Sequence, residues 1–152
     1  MRKLLITADD YGAMRCIDKG IIRAVREGPV RCISAFCNFP HFEKAMEELL
    51  DFKDTLDFDI GIGIHLNLTA GPACNSPLNT SLITIDQIIK MVEGGQLYEI
   101  EAELHAQIER FLKVFPQADH LTHHMNVMNI HPDLFNLSLK SRKSYINLLS
   151  NI

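Results

Sequence analysis

The sequence predicts an α/β fold in which helices connect the strands of a mainly parallel sheet. Two observations support this prediction. Short apolar or alternating segments have the length and composition of strands, at residues 3–8, 30–36, 60–68 and 121–127. Between them lie segments with apolar residues near a 3.6-residue period, at residues 17–27, 40–52, 84–92 and 98–115. Strands that alternate with helices favour a parallel sheet, because each crossover helix returns the chain to the same end of the sheet.

The N-terminal half contains three of these strands and two of the helices. Residues 3–8 form a continuous apolar run, which is typical of a buried strand in a parallel sheet. The helix predicted for 17–27 ends at a Gly-Pro pair, and a second strand follows over 30–36. A helix over 40–52 comes next. The third strand, 60–68, alternates in character, and its glycines allow another element to approach closely.

The C-terminal half begins with a predicted loop. Residues 71–81 are rich in Pro, Asn, Ser and Thr, which favour loops. A short helix over 84–92 is closed by two glycines, and a longer helix follows over 98–115. Residues 121–127 form a weaker strand, and the segment 133–145 is predicted to be helical.

The composition is that of one soluble globular domain, which we expect to span residues 1–152. The 152 residues are 47% hydrophobic and 22% charged, with a formal net charge of −4. No basic run indicates nucleic-acid binding, and no apolar stretch approaches the roughly 20 residues of a membrane span. The N-terminal apolar segment is too short for a signal peptide, so we expect a cytoplasmic protein. Without a Cys-x-x-Cys pair, reduced and partly buried thiols are expected at Cys16, Cys32, Cys37 and Cys74.

Three polar clusters lie at or near the carboxyl ends of predicted strands. Asp9 and Asp10 directly follow the first strand, His65 lies in the third, and four of the seven histidines fall within residues 120–131. Ligands bind at this edge of parallel α/β sheets. One carboxylate and two imidazoles can hold a divalent metal such as zinc, and the second carboxylate can then act as a general base. The sequence therefore predicts a metal-dependent site.

Each cluster also has a structural explanation. The aspartate pair could form a solvated turn in which one Asp caps the next helix, and His65 could be a hydrogen-bonded core histidine. The later histidines could lie in a solvated loop. If their segment is a strand, His120 and His124 share one face and His123 points to the other. Asn67 alternates onto the face of His65 and could line the same pocket.

The motifs together resemble the YdjC-like (chitooligosaccharide deacetylase-like) carbohydrate deacetylases. Residues 5–12 (LITADDYG) are similar to the opening signature of that family, and residues 63–69 (GIHLNLT) to its second. Residues 103–108 (ELHAQI) resemble the helix before its third signature. Residues 119–128 (DHLTHHMNVM) are similar to the third signature itself. The resemblance covers most of the chain.

The resemblance implies a fold, a reaction and a set of roles. The fold is an irregular TIM-like α/β barrel of the polysaccharide-deacetylase type. Asp10, His65 and His124 would bind a divalent metal, Mg or Zn, and Asp9 would be the general base. The reaction implied is hydrolysis of the N-acetyl group of an acetylated amino sugar or oligosaccharide, with a metal-activated water as the nucleophile.

The chain departs from that family in its third signature and in its length. Thr122 stands where Asp is usual, His123 where a small residue is common, and Met128 where His is expected. The chain stops about a hundred residues early, so we expect a barrel incomplete at the C-terminus. Either the chain is a truncated product or a partner chain covers the open edge in a homodimer. Activity is expected to be reduced. Another metal-dependent amide or ester hydrolase, and an inactive sugar-binding homologue, remain as alternatives.

Overall fold

The computed structural model describes residues 4–75 and 84–149. In this part of the chain, four strands form one sheet in the order β1–β2–β3–β4, and every neighbouring pair is parallel. The strands are β1 (Thr7–Tyr11), β2 (Cys32–Ala35), β3 (Gly61–Leu66) and β4 (Leu121–His123). The helices are α1 (Arg15–Glu27), α2 (Phe42–Lys53), α3 (Ile85–Glu93), α4 (Leu97–Val114) and α5 (Pro132–Leu149), with a 3-10 helix at His124–Asn129. The predicted α/β class with a parallel sheet is confirmed.

The two inner strands carry the centre of the hydrophobic core. All of β2 is buried, and so is β3 after its first residue, as is typical of inner strands in a parallel sheet. Helices α2 and α4 cover the sheet with buried residues such as Met46, Leu49 and Phe111. All four cysteines are free; Cys32 and Cys37 are buried, whereas Cys16 is exposed. No helix in the described segments has both the length and the apolar character of a membrane span.

The first strand differs from its prediction. It runs from Thr7 to Tyr11 rather than over 3–8, of which residue 3 lies outside the described residues. Leu4 and Leu5 are 86% and 66% exposed, whereas Tyr11 is 1% exposed. The Tyr11 hydroxyl donates to the Ala45 carbonyl at 3.0 Å, so burial of this tyrosine extends the strand. Asp9 and Asp10 therefore lie inside the strand and do not follow it.

A β-bulge at these aspartates changes the register between β1 and β2. Ala8 pairs with Ile33, but Tyr11 pairs with Ala35, so β1 contains one extra residue. Asp10 accommodates it with a φ of 69°, in the left-handed region that non-glycine residues seldom adopt. Bulges change the direction in which side chains point, and this one lies next to the candidate site.

The last strand is shorter than predicted. The sequence indicated a strand over 121–127, but β4 ends at His123, and the 3-10 helix begins at His124. Met125 and Asn126 have φ values of 51° and 54°, which an extended strand does not allow. The predicted shared face of His120 and His124 on one strand is therefore wrong.

Most other boundaries agree with the prediction to within two or three residues. Thr84, predicted as the first helical residue, is instead the N-cap of α3, where it forms a capping box with Gln87. The predicted loop at 71–81 lies partly outside the described residues.

The glycine expectation for β3 is confirmed at Gly63. A Cβ placed there would lie only 2.3 Å from the His120 carbonyl oxygen. Ile64 donates its N–H to the same carbonyl at 3.0 Å. The missing side chain therefore lets the segment that enters β4 lie directly against β3, two residues before His65.

Candidate metal centre

The candidate site lies at the carboxyl ends of β1, β3 and β4. Asp9 and Asp10 lie in the bulge of β1, His65 is the next-to-last residue of β3, and His124 directly follows β4. Because the strands are parallel, their carboxyl ends meet at one edge of the sheet. The predicted site residues are therefore brought together by the topology.

Asp10, His65 and His124 converge closely enough to hold one metal ion. Oδ1 of Asp10 lies 3.1 Å from Nε2 of His65 and 2.9 Å from Nδ1 of His124. One ligand atom from each residue lies within 4.8 Å of the other two. Two ligands held about 2.1 Å from one ion at a right angle are about 3.0 Å apart. These separations therefore fit a common ion.

The hydrogen bonding of Asp10 supports the same conclusion. Its Oδ1 atom is buried, yet no described group donates a hydrogen bond to it, although two ring nitrogens lie within about 3 Å. A buried carboxylate oxygen without a partner is costly, and a cation would compensate that cost. The donor set suits a divalent metal, while the role of these residues as metal ligands stays a prediction.

Burial favours the neutral form of His65, which is the form that binds metals. It is 2% exposed, and burial lowers its pKa below the ordinary value, with a smaller contribution in the same direction from His124. The charges of Asp9 and Asp10 oppose this shift but do not reverse it. A neutral imidazole has a lone pair for a metal near pH 7.

Phe36, which sequence reasoning did not identify, packs against both candidate histidines. Its ring centre lies 4.9 Å from that of His65 and 5.0 Å from that of His124. The phenylalanine is itself buried, directly after β2. Its position directly after a strand, like that of His124 after β4, is a signal that could have revealed it. Phe36 restricts how either imidazole ring can turn.

Asp9 lies beside the converging residues and is open to solvent. Its side chain is 46% exposed, and its Oδ1 lies 3.7 Å from Nδ1 of His65. The Thr122 hydroxyl contacts both groups, 3.3 Å from Asp9 Oδ1 and 2.6 Å from His65 Nδ1. A carboxylate in this position can accept a proton from solvent or substrate.

His120 takes part in a different network. Its Nε2 lies 3.0 Å from the Ser34 hydroxyl, and its Nδ1 contacts the Asp119 carboxylate. This serine–histidine–aspartate series of contacts resembles the catalytic triad of a serine hydrolase. Ser34, however, is fully buried, so no substrate can reach its hydroxyl. The network instead joins β2 to the segment that enters β4.

His123 and His131 also lie outside the converging set. Burial and, to a lesser degree, the nearby His65 lower the pKa of His123 to about 4, so this ring is neutral at physiological pH. His131 accepts a hydrogen bond from the backbone N–H of Asp133 at the start of α5. Both histidines therefore have structural surroundings that differ from those of His65 and His124.

Asn67 shapes the loop beside the site. Its Oδ1 accepts the backbone N–H groups of Thr69 and Ala70 at 3.0 Å each, and its Nδ2 donates to the Ala70 carbonyl. Asn38 donates to the carbonyls of Ala70 and Pro72. The polar atoms of Asn67 thus form hydrogen bonds within a turn. These hydrogen bonds account for an asparagine at this position without the predicted contact with the pocket.

Comparison with known proteins gives consistent matches. A family model described as YdjC-like protein matches residues 3–147. The chain is 33% identical over 150 residues to a carbohydrate deacetylase of Brevibacillus brevis, covering 94% of this chain and 56% of that protein. It is 32% identical over 129 residues to a chitooligosaccharide deacetylase of Proteus mirabilis, covering 82% of this chain and 49% of the relative.

A solved structure is also similar. The crystal structure of a protein provisionally described as a cellobiose-phosphate cleavage protein, from Enterococcus faecalis, matches with a TM-score of 0.81 and 28% identity. The match covers 93% of this chain and 55% of that chain. The chain thus spans about half the length of the curated relatives it matches.

Proposed function

Because this chain belongs to the YdjC-like protein family, we propose that it contains the metal-binding part of a carbohydrate deacetylase. The substrate would be an acetylated amino sugar or its oligosaccharide. The names of the relatives, carbohydrate deacetylase and chitooligosaccharide deacetylase, support this substrate class. The observation that carries the proposal is the convergence of Asp10, His65 and His124 on one point, with Asp9 beside them.

The roles follow from the positions of the four residues. Asp10, His65 and His124 would hold a divalent ion, Mg or Zn, which when bound supplies Lewis-acid chemistry at the acetyl carbonyl. Asp9 is exposed and adjacent, so it would accept the proton of the attacking water. That proton would pass to the nitrogen of the acetamido group as its C–N bond breaks, so that acetate and a free amine are released.

We propose further that the sheet is one part of an irregular TIM-like barrel. Its strands follow in sequential order, as barrel strands do, without the reversal of doubly wound sheets. Asp10 of β1 and His124 after β4 also lie 2.9 Å apart, although two strands separate them. In a flat sheet the outer strands would be about 14 Å apart. The contact therefore favours a strongly curved sheet.

Of the three departures from the third signature, Met128 and Thr122 have different consequences. Met128 is 1% exposed and packs within the hydrophobic core, so the residue at this position does not contribute a polar group to the site. Thr122 contacts both His65 and Asp9. Reduced activity, the single domain over 1–152, the homodimer and the cytoplasmic location all stay predictions.

Metal binding is the first test, since it needs only the residues that the structure describes. Metal-free protein would be titrated with Zn²⁺, Mn²⁺ and Mg²⁺ in a calorimeter. His65→Ala and His124→Ala should each weaken binding by more than the 10- to 100-fold typical of losing a supporting group. His105→Ala, on α4, is the matched control and should bind as the wild type does. Wild-type affinity in His65→Ala would overturn the site.

The reaction is tested separately. Acetate release from N-acetylglucosamine oligomers would be compared with hydrolysis of simple esters, because the same site could serve another amide or ester hydrolase. Asp9→Asn should keep metal affinity but lower kcat by about 10²- to 10⁴-fold, as expected for the loss of a general base. Turnover of Asp9→Asn at the wild-type rate would remove Asp9 from the mechanism.

A further inference from the structure

We propose that Thr122 is a positioning residue that fixes the ring tautomer of His65 and links that ring to Asp9. The inference rests on the proposed metal site and adds a residue to it. Thr122 is the register partner of His65 across the β3–β4 pair, so the backbone itself holds the two side chains together. The Thr122 Oγ1 atom lies 2.6 Å from His65 Nδ1 and 3.3 Å from Asp9 Oδ1.

The single proton of the hydroxyl determines how this network can be arranged. A threonine hydroxyl donates one hydrogen bond and accepts up to two. A carboxylate can only accept, so the contact with Asp9 needs the proton of Thr122. His65 must then carry its own proton on Nδ1 and donate it to Oγ1 of Thr122. This arrangement satisfies both the short contact of Thr122 with His65 and its longer contact with Asp9.

The other side of the His65 ring supports the same tautomer. Nε2 lies 3.1 Å from Oδ1 of Asp10, yet no described donor makes an aligned hydrogen bond to that oxygen. A proton on Nε2 would therefore lack a well-aligned acceptor there, whereas a proton on Nδ1 has one. With Nδ1 protonated, Nε2 directs its lone pair towards Asp10 and His124, which is the form a metal ligand needs.

Thr122 also connects strands that are not neighbours. Asp9 belongs to β1 and Thr122 to β4, the two outer strands of the described sheet. The hydroxyl thus fixes the position of the proposed base relative to a proposed metal ligand. Loss of the hydroxyl would leave the His65 N–H without its acceptor and Asp9 without a donor, while the shape of the side chain could be retained.

Two variants separate the hydroxyl from the packing of the side chain. Thr122→Val keeps the branched shape without the hydroxyl, and Thr122→Ser keeps the hydroxyl with less packing. Thr122→Val should weaken Zn²⁺ binding by about 10- to 100-fold, the usual effect of losing the partner of a ligand histidine. Thr122→Ser should restore affinity to within a few-fold of the wild type. The free energy of unfolding of each metal-free variant shows that the fold is retained.

Nitrogen NMR of the His65 ring gives a readout that does not depend on metal. Metal-free wild type and Thr122→Ser should show the proton on Nδ1, whereas Thr122→Val should lose that signature. A proton on Nε2 in the wild type, or an unchanged ring in Thr122→Val, would overturn the inference. If the wild type binds no divalent ion, the proposed function fails, and the NMR result still decides whether Thr122 positions the ring.

Discussion

Replacing Gly63 by alanine should destabilise the protein and disturb the candidate site, because no room exists for a side chain. A Cβ at this position would lie 2.3 Å from the His120 carbonyl oxygen and 2.5 Å from two carbons of the His120 ring. A normal contact between such atoms is about 3.5 Å. The backbone before β4 would therefore have to move by roughly 1 Å, and it carries Thr122 and His124 with it.

The size of the effect can be worked out from the contacts. Forcing a methyl group into a filled space costs about 1–3 kcal/mol. The displaced carbonyl also accepts the N–H of Ile64 at 3.0 Å, and weakening that hydrogen bond adds up to about 1 kcal/mol. We expect Gly63→Ala to lower the free energy of unfolding by about 1–4 kcal/mol.

Gly20 provides a control with the opposite expected sign. It is exposed in the interior of α1, and an added Cβ would meet no atom within 4 Å. Alanine is about 0.8–1.0 kcal/mol more favourable than glycine within a helix, so Gly20→Ala should raise the free energy of unfolding. The two variants make the same chemical change, and their free energies of unfolding should differ by about 2–5 kcal/mol.

Urea denaturation of the metal-free variants measures this difference directly. The midpoint should fall for Gly63→Ala and rise for Gly20→Ala, without a change in slope. Calorimetric titration with Zn²⁺ should also show weaker binding in Gly63→Ala alone, because only this substitution moves β4. If Gly63→Ala were as stable as the wild type, the described contact between β3 and the start of β4 would be refuted.

Two further predictions concern buried carboxylates. Asp18 is buried and accepts the Gly12 N–H at 2.7 Å, and burial raises the pKa of its carboxyl group. The stability that this group contributes is therefore complete below the ordinary pKa and is lost as the pH rises through the raised pKa. Asp18→Asn should therefore become more stable relative to the wild type between pH 3.5 and pH 7 in urea denaturation, and a constant difference would contradict this. Glu103 is 2% exposed and accepts the backbone N–H of Cys74 at 2.9 Å and that of the next residue at 2.6 Å. Glu103→Gln leaves only one acceptor oxygen and should lower the free energy of unfolding, measured by urea denaturation, by about 1–3 kcal/mol. An equal loss in the exposed control Glu109→Gln would count against this explanation.

Sequence reasoning worked best where the signal was local and repeated. The alternation of β3 predicted its position, and its glycines predicted the close approach of another element, which is confirmed at Gly63. The periodic helices were predicted with small boundary errors. The first strand was predicted wrongly because an apolar run suggested burial, whereas Leu4 and Leu5 are exposed and Tyr11 is the buried anchor. Whether an apolar residue is buried depends on what covers it, which a single segment does not reveal.

The sequence by itself determined which groups can meet. Parallel strands end at one edge of the sheet, so Asp9, Asp10 and His65 were expected together as soon as their strands were recognised. Only the tertiary structure decided how they meet. The bulge at Asp10 arises from a register shift against β2, and the contact of Thr122 with Asp9 joins β1 to β4 across a curved sheet. Register and curvature depend on pairing between distant segments, and local residue patterns do not encode that pairing.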